Sequence, residues 1–212
     1  MKKIKYPRTK HHPLSLSITS DDKCYSYTEI EEMYGEEYYA SIKMDGECTT
    51  IYPTGETHAR SIDSKYHPSR TWVMNFAHQI SYLIPKDIFL CGENLYAKHS
   101  IQYKGLKSFF LGFNAWSNEG EVCMSLDDTM SVFKRVGITS VEVIWRGKLS
   151  KDVIDALWGK LDTDAHEGIV FRPTSSLNRV EFGSKVFKLV RKNHVQTDQH
   201  WMHSEMELNT IV

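Results

Sequence analysis

Short β-forming runs, interleaved irregularly with helical segments, are the sequence feature that most restricts the fold of this chain. Turn residues bound these runs, as in Pro53-Thr54-Gly55-Glu56. Two helices are signalled at both ends: one begins at Ser69 and stops before Pro85, and another is capped by Ser125 and stops at Gly137. Because strands and helices do not alternate strictly, this order predicts an α+β domain. The other predicted elements are helices over 26–34 and 150–161 and strands over 38–43, 49–52, 58–60, 89–95, 108–116, 141–145, 169–172 and 186–190.

The charge balance excludes one class of function. With a formal net charge of −1, the chain has no general polycationic surface for coating nucleic acid. Two local basic clusters remain. The segment 2–10 is either a solvated tail or a binding segment, whereas 185–192 interleaves its cations with apolar residues, as in a strand with one buried face. The cations are Lys2, Lys3, Lys5, Arg8 and Lys10 in the first cluster, and Lys185, Lys188, Arg191 and Lys192 in the second.

Size and composition favour one ordinary cytoplasmic domain. The chain has 212 residues, 41% of them hydrophobic, which is enough to bury a core. The four cysteines have no metal-ligand spacing, so a reduced compartment is expected. No apolar stretch has the length of a signal peptide or a membrane span, so we expect a soluble, cytoplasmic protein that has no contact with a membrane.

The residues most suggestive of chemistry begin with Lys43-Met44-Asp45-Gly46, a lysine at a strand end followed by a tight turn. Taken alone, this tetrapeptide is better explained as a surface lysine beside a turn than as a catalytic lysine. Glu93, Glu167 and Lys188 follow in order, each within or next to an apolar strand. A charge in such a position is costly to bury unless it faces a partner or a site. Together the four charged positions predict a shared phosphate and metal site.

This ordered set resembles the covalent nucleotidyltransferase superfamily, which comprises RNA ligases, DNA ligases and mRNA-capping guanylyltransferases. The chain is most similar to the ATP-dependent RNA ligases, and in particular to small bacterial and phage RNA ligase-like proteins. The resemblance implies one nucleotidyltransferase domain over residues 1–212, with two packed antiparallel sheets around ATP and helices outside. We expect no OB-fold or other C-terminal domain, since only 24 residues (189–212) follow Lys188. Further matching segments are 6–9, 58–61, 91–97, 194–198 and 200–202.

The resemblance also implies a three-step reaction. Lys43 attacks ATP to give lysyl-AMP, AMP passes to an RNA 5′-phosphate, and an RNA 3′-hydroxyl then displaces AMP. Lys43, Lys188 and Glu167 are the implied catalytic residues. Phe113 is the candidate to stack on adenine, with Phe109 and Phe110 as rivals. The implied ATP-binding residues are Ile42, Lys43, Arg60, Glu93, Phe113, Glu167, Lys188 and Arg191, and the implied ligands of Mg²⁺ or Mn²⁺ are Asp45, Glu93 and Glu167.

The nucleophile must lose a proton before it attacks. An ordinary lysine has a pKa near 10.4, so only about one molecule in a thousand is neutral at pH 7. We therefore expect nearby cations, namely the metal with Lys188 and Arg191, to lower the pKa of Lys43.

One position departs from the pattern of the family. Relatives often carry Asn or Arg five residues after the nucleophile, where this chain has Cys48. A thiol is a poor donor to phosphate, so the sealing step is expected to be slow. The alternatives left open are an end-adenylylating enzyme, a guanylyltransferase and a non-catalytic module that binds RNA ends or nucleotides. The sequence also leaves open whether the substrate is a single strand, a nicked duplex or a particular RNA under repair.

Overall fold

A computed structural model describes residues 2–16, 18, 22–192 and 206–212, so the matching segments at 194–198 and 200–202 lie outside the described residues. Sixteen helices and strands position the site. The helices are α1 Tyr27–Glu31, α2 Thr71–Ile80, α3 Leu126–Val136, α4 Lys151–Lys160 and α5 Arg179–Lys185. The strands are β1 Lys10–His11, β2 Glu37–Lys43, β3 Glu47–Ile51, β4 Thr57–Ala59, β5 Phe89–Asn94, β6 Phe110–Ser117, β7 Val122–Cys123, β8 Val143–Lys148, β9 Gly168–Pro173, β10 Leu177–Asn178 and β11 Phe187–Val190.

The strands form two sheets. One has five strands in the order β1-β11-β9-β2-β8, and the other has six in the order β10-β7-β6-β5-β3-β4. The α+β class and the two-sheet architecture expected from the sequence are therefore confirmed. One pair departs from the antiparallel expectation, because β1 runs parallel to β11. These two strands are far apart in sequence, so no hairpin dictates their direction.

Core packing separates an inner cleft from two outer helical layers. On the six-stranded sheet, Val73 of α2 and Phe133 of α3 pack with Leu90. On the five-stranded sheet, Ile154 of α4 packs with Phe171. Trp116 and Val170 lie in the core between the sheets, in a cluster with other buried aromatic residues. Burying each large apolar side chain contributes roughly 1.5–3 kcal/mol, so three packed interfaces hold the cleft walls in place.

The helix ends follow the local chemistry of the sequence. At α3, the Ser125 side chain accepts a hydrogen bond from the Asp128 amide, and Gly137 closes the helix with φ 80°. The helix predicted to begin at Ser69 begins two residues later, at Thr71, in its α-helical part. A 3₁₀ turn over Pro68–Arg70, capped by His67, precedes α2. Pro68 at the first position of this 3₁₀ turn explains why helical backbone begins before Ser69, because the fixed φ of proline suits a helix start.

Four elements escaped prediction. Strands β1, β7 and β10 have two residues each, too few for alternation to be detected. Helix α5 did carry a signal, since Asn178 and Glu181 form a reciprocal capping box at its start. Trp72 and Trp158 pack at the margins of the two helical cores.

The structure bears on two features that the sequence analysis used to predict the compartment, namely the cysteines and the absence of a membrane-spanning segment. Cys24, Cys48, Cys91 and Cys123 are free thiols. No helix in the described ranges has the length and apolar character needed to cross a bilayer.

Candidate active site

Strand alternation brings the charged residues into one cleft between the sheets. Successive side chains of a strand point to opposite faces, so Lys43 at the end of β2 faces away from the helical core that holds Ala40. Lys188 of β11 lies opposite Val170 of β9, and Glu93 of β5 lies opposite Cys48 of β3. Six residues expected to bind ATP line this cleft: Ile42, Lys43, Arg60, Glu93, Phe113 and Lys188.

The central contact is between the expected nucleophile and one expected acid. Lys43 Nζ donates a hydrogen bond to Glu167 Oε2 at 2.5 Å. Glu167 is 5% exposed, whereas the Lys43 side chain retains 22% of its exposure toward the cleft. Glu167 precedes β9, whose Gly168 pairs with Lys43 across the sheet. A side chain at Gly168 is excluded, because a Cβ there would lie 2.0 Å from the Leu189 carbonyl oxygen.

The pKa of Lys43 moves in the direction opposite to the one expected. Burial lowers this pKa, but the carboxylates of Glu167 and Glu93 outweigh burial and raise it to about 12. The pKa of Lys188 moves in the other direction. Burial and the charge of Lys43 lower the pKa of Lys188 to about 8, against the opposing effect of Glu167. Without a ligand, the site therefore holds its proton on Lys43.

Glu93 is the most perturbed carboxyl of the cleft. Burial raises its pKa to about 8; the charge of Lys43 opposes this shift, and Glu167 and Asp45 add to it. Burial also raises the pKa of Glu167, again against the charge of Lys43. Buried carboxylates close to one another favour a bound cation, because a positive charge relieves both desolvation and mutual repulsion.

Asp45 is committed to a neighbouring loop. Its Oδ2 accepts hydrogen bonds from the Ser100 amide at 2.7 Å, the Ser100 hydroxyl at 2.7 Å and the Ile101 amide at 2.8 Å. The Asp45 amide in turn donates to the Tyr103 hydroxyl at 2.9 Å. The turn after Lys43 is thus fixed from both sides. Within the described ranges, no group of three acid, thiol or imidazole side chains is arranged to hold a metal ion.

Arg191 also lies outside the set of residues lining the cleft. Its guanidinium donates to the Ser100 hydroxyl at 3.0 Å, and its amide donates to the Glu167 carbonyl at 3.0 Å. Arg191 therefore ties the Asp45-binding loop to the segment that carries Glu167. The resemblance implied that Arg191 binds ATP, and the structure shows this bracing contact.

Among the three phenylalanines, only Phe113 lines the cleft. Phe110 is fully buried beneath α2 and α3, and Phe109 packs edge-on against Trp72 and Tyr96. The register between β5 and β6 shifts between Cys91 and Gly92. Such a shift changes the face of the sheet to which the following side chains of β6 point. The geometry therefore favours Phe113 as the residue available to a planar ligand.

Arg172 is the principal cleft residue that sequence analysis missed. It is 5% exposed and lines the cleft. One guanidinium nitrogen donates to the Ser41 hydroxyl at 2.9 Å, and the guanidinium lies 5.6 Å from the centre of the Phe113 ring. Its Nε has no hydrogen-bond partner among the described residues. A charge on the apolar strand Ile169-Val170-Phe171 was the available signal, the same signal that singled out Lys188.

Arg172 and Lys43 mark opposite ends of the cleft. Arg172 pairs with Tyr39 and Gly168 pairs with Lys43, so four residues of β9 separate the two ends. At about 3.3 Å per residue this is roughly 13 Å. Tyr6 closes the Arg172 end, where its hydroxyl donates to Asn114 Oδ1 at 2.7 Å.

Residues 36–190 match the family model described as RNA ligase. No curated protein matches the chain. An RNA ligase of Naegleria gruberi, solved with ATP and Mn, is 18% identical with a TM-score of 0.58, over 77% of this chain and 52% of that one. An archaeal ATP-dependent RNA ligase is 15% identical with a TM-score of 0.61, over 88% of this chain and 48% of that one. A putative ATP-dependent DNA ligase of Aquifex aeolicus is 15% identical with a TM-score of 0.58, over 88% and 50%. The chain thus spans about half the length of these similar structures.

Proposed function

The chain belongs to the RNA ligase family, and on that premise we propose that it is an ATP-dependent RNA ligase that forms lysyl-AMP at Lys43. The observation that carries this proposal is the half-buried Lys43–Glu167 contact at the floor of a cleft with an aromatic wall. A half-buried lysine held by a buried acid and aimed into a ligand cleft is costly for a simple binding module, but a covalent mechanism requires it.

ATP fits the cleft with its base toward Arg172 and its phosphates toward Lys43. Phe113 offers a ring face for the base, and the apolar side chains of Ile42 and Val170 line the slot. Lys188 and Arg60 supply positive charge at the phosphate end. The span of roughly 13 Å suits a nucleoside monophosphate.

The first step joins Lys43 to the α-phosphorus. The Nζ lone pair forms the P–N bond while the bond to the pyrophosphate oxygen breaks, and Lys43 gives up its proton. Glu167 Oε2 already accepts a hydrogen bond from Nζ and is positioned to receive that proton. Lys188 stabilises the negative charge that develops on the phosphate oxygens.

A divalent cation fits the two buried acids of the cleft. Glu93 and Glu167 present hard oxygen donors beside Lys43, and burial raises the pKa of each. A Mg²⁺ or Mn²⁺ ion held there would supply Lewis-acid polarisation of the α-phosphate and would offset the carboxylates that raise the pKa of Lys43. We propose that Asp45 contributes at longer range, since its Oδ2 already accepts three hydrogen bonds.

The remaining steps use RNA. An oxygen of an RNA 5′-phosphate displaces Lys43 from lysyl-AMP, giving a 5′-5′ adenylylated end. A 3′-hydroxyl of a second RNA end then displaces AMP and forms the phosphodiester bond.

Labelled nucleotide tests the proposal directly. With ATP labelled in the α-phosphate and Mg²⁺, the protein is expected to acquire an acid-labile label that Lys43→Ala abolishes. The control is Lys160→Ala, a change at an exposed lysine of α4 that lies away from the cleft. A label that persists in Lys43→Ala, or no label with any nucleotide, would rule the proposal out and favour a non-catalytic module. Preferential labelling by GTP would favour guanylyl transfer.

One observation favours a second candidate, an enzyme that adenylylates RNA ends without sealing them. Cys48 lines the cleft next to Arg60 and Glu93, and burial raises the pKa of its thiol, so it remains a neutral, weak donor. With pre-adenylylated RNA, Cys48→Asn is expected to seal faster than the unchanged protein, while lysyl-AMP formation is unaltered. Equal sealing rates would remove Cys48 as the reason for slow ligation.

A further inference from the structure

A trough leads away from Lys43, on the side of the cleft that carries Arg60. A second cavity adjoins the cleft and shares both of these residues with it. A third cavity continues from the second, and the two share Ser64 and Arg70. We call the second and third cavities together the trough. The shared residues place the trough next to the nucleophile at one end and beside β4 and α2 at the other.

The far end of the trough combines positive charge with exposed apolar surface. The described side chains lining the third cavity include Lys3 and Lys65 and no acid; Arg70 also lines it, but its charge is paired with Glu47. Tyr66 and Ile62 line it as well and are 68% and 41% exposed. Cations that track a phosphate backbone, next to an aromatic ring open to a base, are the combination that binds single-stranded nucleic acid.

Local contacts hold this surface in one conformation. The Tyr66 hydroxyl forms a hydrogen bond with the Thr71 hydroxyl at 2.8 Å, which fixes the edge of the ring and leaves the ring exposed. Arg70 links Glu47 of β3, through Nε to Oε2 at 2.8 Å, to the Lys65 carbonyl. The loop is thus anchored to the strand that follows the Lys43 turn. A pre-ordered surface loses less entropy on binding.

We propose that this trough binds the single-stranded 5′ end of the acceptor RNA, a substrate class that deepens the proposed function and rests on it. Arg60 lies nearest the terminal phosphate, Tyr66 stacks on a base, and Lys65 and Lys3 contact the backbone. In the transfer step, a terminal phosphate oxygen forms the new P–O bond to the AMP phosphorus. The P–N electrons return to Lys43, which takes up a proton.

Stacking on Tyr66 requires an unpaired base, which gives the proposal a specific consequence. A base at a nick in a duplex is already paired and stacked, whereas the base at a single-stranded 5′ end is free to stack on protein. The trough therefore favours RNA with a single-stranded 5′ end over a nicked duplex as the acceptor of AMP.

The experiment measures AMP transfer from isolated lysyl-AMP protein to a short 5′-phosphorylated RNA under single-turnover conditions. Tyr66→Ala is expected to weaken the apparent RNA affinity about 5- to 150-fold, the range for loss of one stacked base. Tyr66→Ala should leave the formation of lysyl-AMP unchanged, and Tyr66→Phe should retain most of the RNA affinity. The affinity for a nicked-duplex substrate should fall less in Tyr66→Ala than the affinity for the single strand. Tyr82→Ala is the matched control, since Tyr82 is 80% exposed and lies outside these three cavities.

Salt dependence provides a second readout. Lys65→Ala should reduce the slope of log affinity against log salt concentration by about 0.7, and Lys86→Ala should leave it unchanged. RNA affinity unchanged by Tyr66→Ala, or an equal loss for Tyr66→Phe, would overturn the proposal. If no lysyl-AMP forms, the proposed function fails; fluorescence anisotropy with the same RNA and variants then tests the trough alone, and equal binding by Tyr66→Ala and Tyr82→Ala overturns it.

Discussion

Lys43 and Glu93 lie in the same site, but the site stabilises the charge of Lys43 and destabilises the charge of Glu93. The ammonium of Lys43 is stabilised by Glu167 first and Glu93 next, while burial opposes its charge. Glu93 is destabilised as an anion by burial, and the charge of Lys43 is the main effect that offsets this. Removing the proton from Lys43 therefore takes away the largest compensating charge of both Glu93 and Glu167. A cation that enters the site resolves this conflict, which couples nucleophile activation to ligand binding.

Glu93→Gln is expected to stabilise the fold at neutral and higher pH. The folded-state pKa of Glu93, about 8, lies above its unfolded value. The folded state therefore retains a proton that the unfolded state loses, so this group's contribution to stability falls as pH rises from about 4.5 to about 8. The variant lacks that loss. Its melting temperature should exceed that of the unchanged protein by several degrees at pH 8 and by little at pH 4.5.

Thermal melts at several pH values measure this difference. Glu56→Gln is the control, since Glu56 is exposed and lies outside the cleft. A gap that does not widen between pH 5 and pH 8 would contradict a raised pKa at Glu93.

Arg172→Met is expected to weaken nucleotide binding at the base end of the cleft. The change removes the buried guanidinium, including the Nε that has no partner among the described residues, while keeping an apolar stem of similar length. A hydrogen bond from a charged donor contributes about 1.5–3 kcal/mol, so affinity should fall at least about tenfold. Calorimetry should give the same loss for ATP and for adenosine, whereas Lys188→Met should affect ATP more. A loss confined to ATP would assign Arg172 to the phosphates instead.

At the scale of elements, a segment after β5 and the last described residues hold the Lys43 turn. The buried Asn209 accepts a hydrogen bond from the Tyr103 amide at 2.8 Å and donates to the Leu95 carbonyl at 2.8 Å. The Tyr103 hydroxyl, in turn, accepts a hydrogen bond from the Asp45 amide. Residues 206–212 are therefore connected to the turn through two successive polar contacts.

Asn209→Ala is expected to destabilise the chain because it leaves buried backbone groups of 95–103 without partners. The cost should be about 1–3 kcal/mol in the free energy of unfolding, measured by urea denaturation. Glu207→Ala provides the matched control in the same segment. It removes a largely exposed ion pair with Lys98, so its effect should stay below about 1 kcal/mol. Equal effects for the two variants would argue against Asn209 as the main anchor.

At the scale of the whole molecule, the inner faces of the two sheets form the core on one side and line the cleft on the other. Trp116 and Phe182 fill the core side, and Lys43 and Lys188 line the open side. A ligand that binds between the sheets contacts both of them, so it should stabilise the assembly as a unit. This is also why we propose that residues 1–212 behave as one domain.

ATP with Mg²⁺ is expected to raise the melting temperature of Lys43→Ala, which cannot react, in a single cooperative transition. At about 100 times the dissociation constant, binding contributes about 2.7 kcal/mol. Calorimetry measures both the shift and the number of transitions. Two separate transitions, with only one shifted by ATP, would contradict a single domain whose sheets jointly hold the nucleotide.

The order of residues along the chain was sufficient to identify the fold class and, through the resemblance, the family, and to select Lys43 and Glu167 as candidate site residues. Periodicity and turn chemistry are local, and the motif order reflects strands that converge on one cleft. Two-residue strands, the parallel β1–β11 pair and Arg172 at the base end were not recoverable in this way. They depend on pairings between distant segments, as do the commitment of Asp45 to Ser100 and the position of Arg191 behind Glu167. The sign of the pKa shift at Lys43 belongs to the same group, because it is a sum over charges that become neighbours only when the sheets pack together.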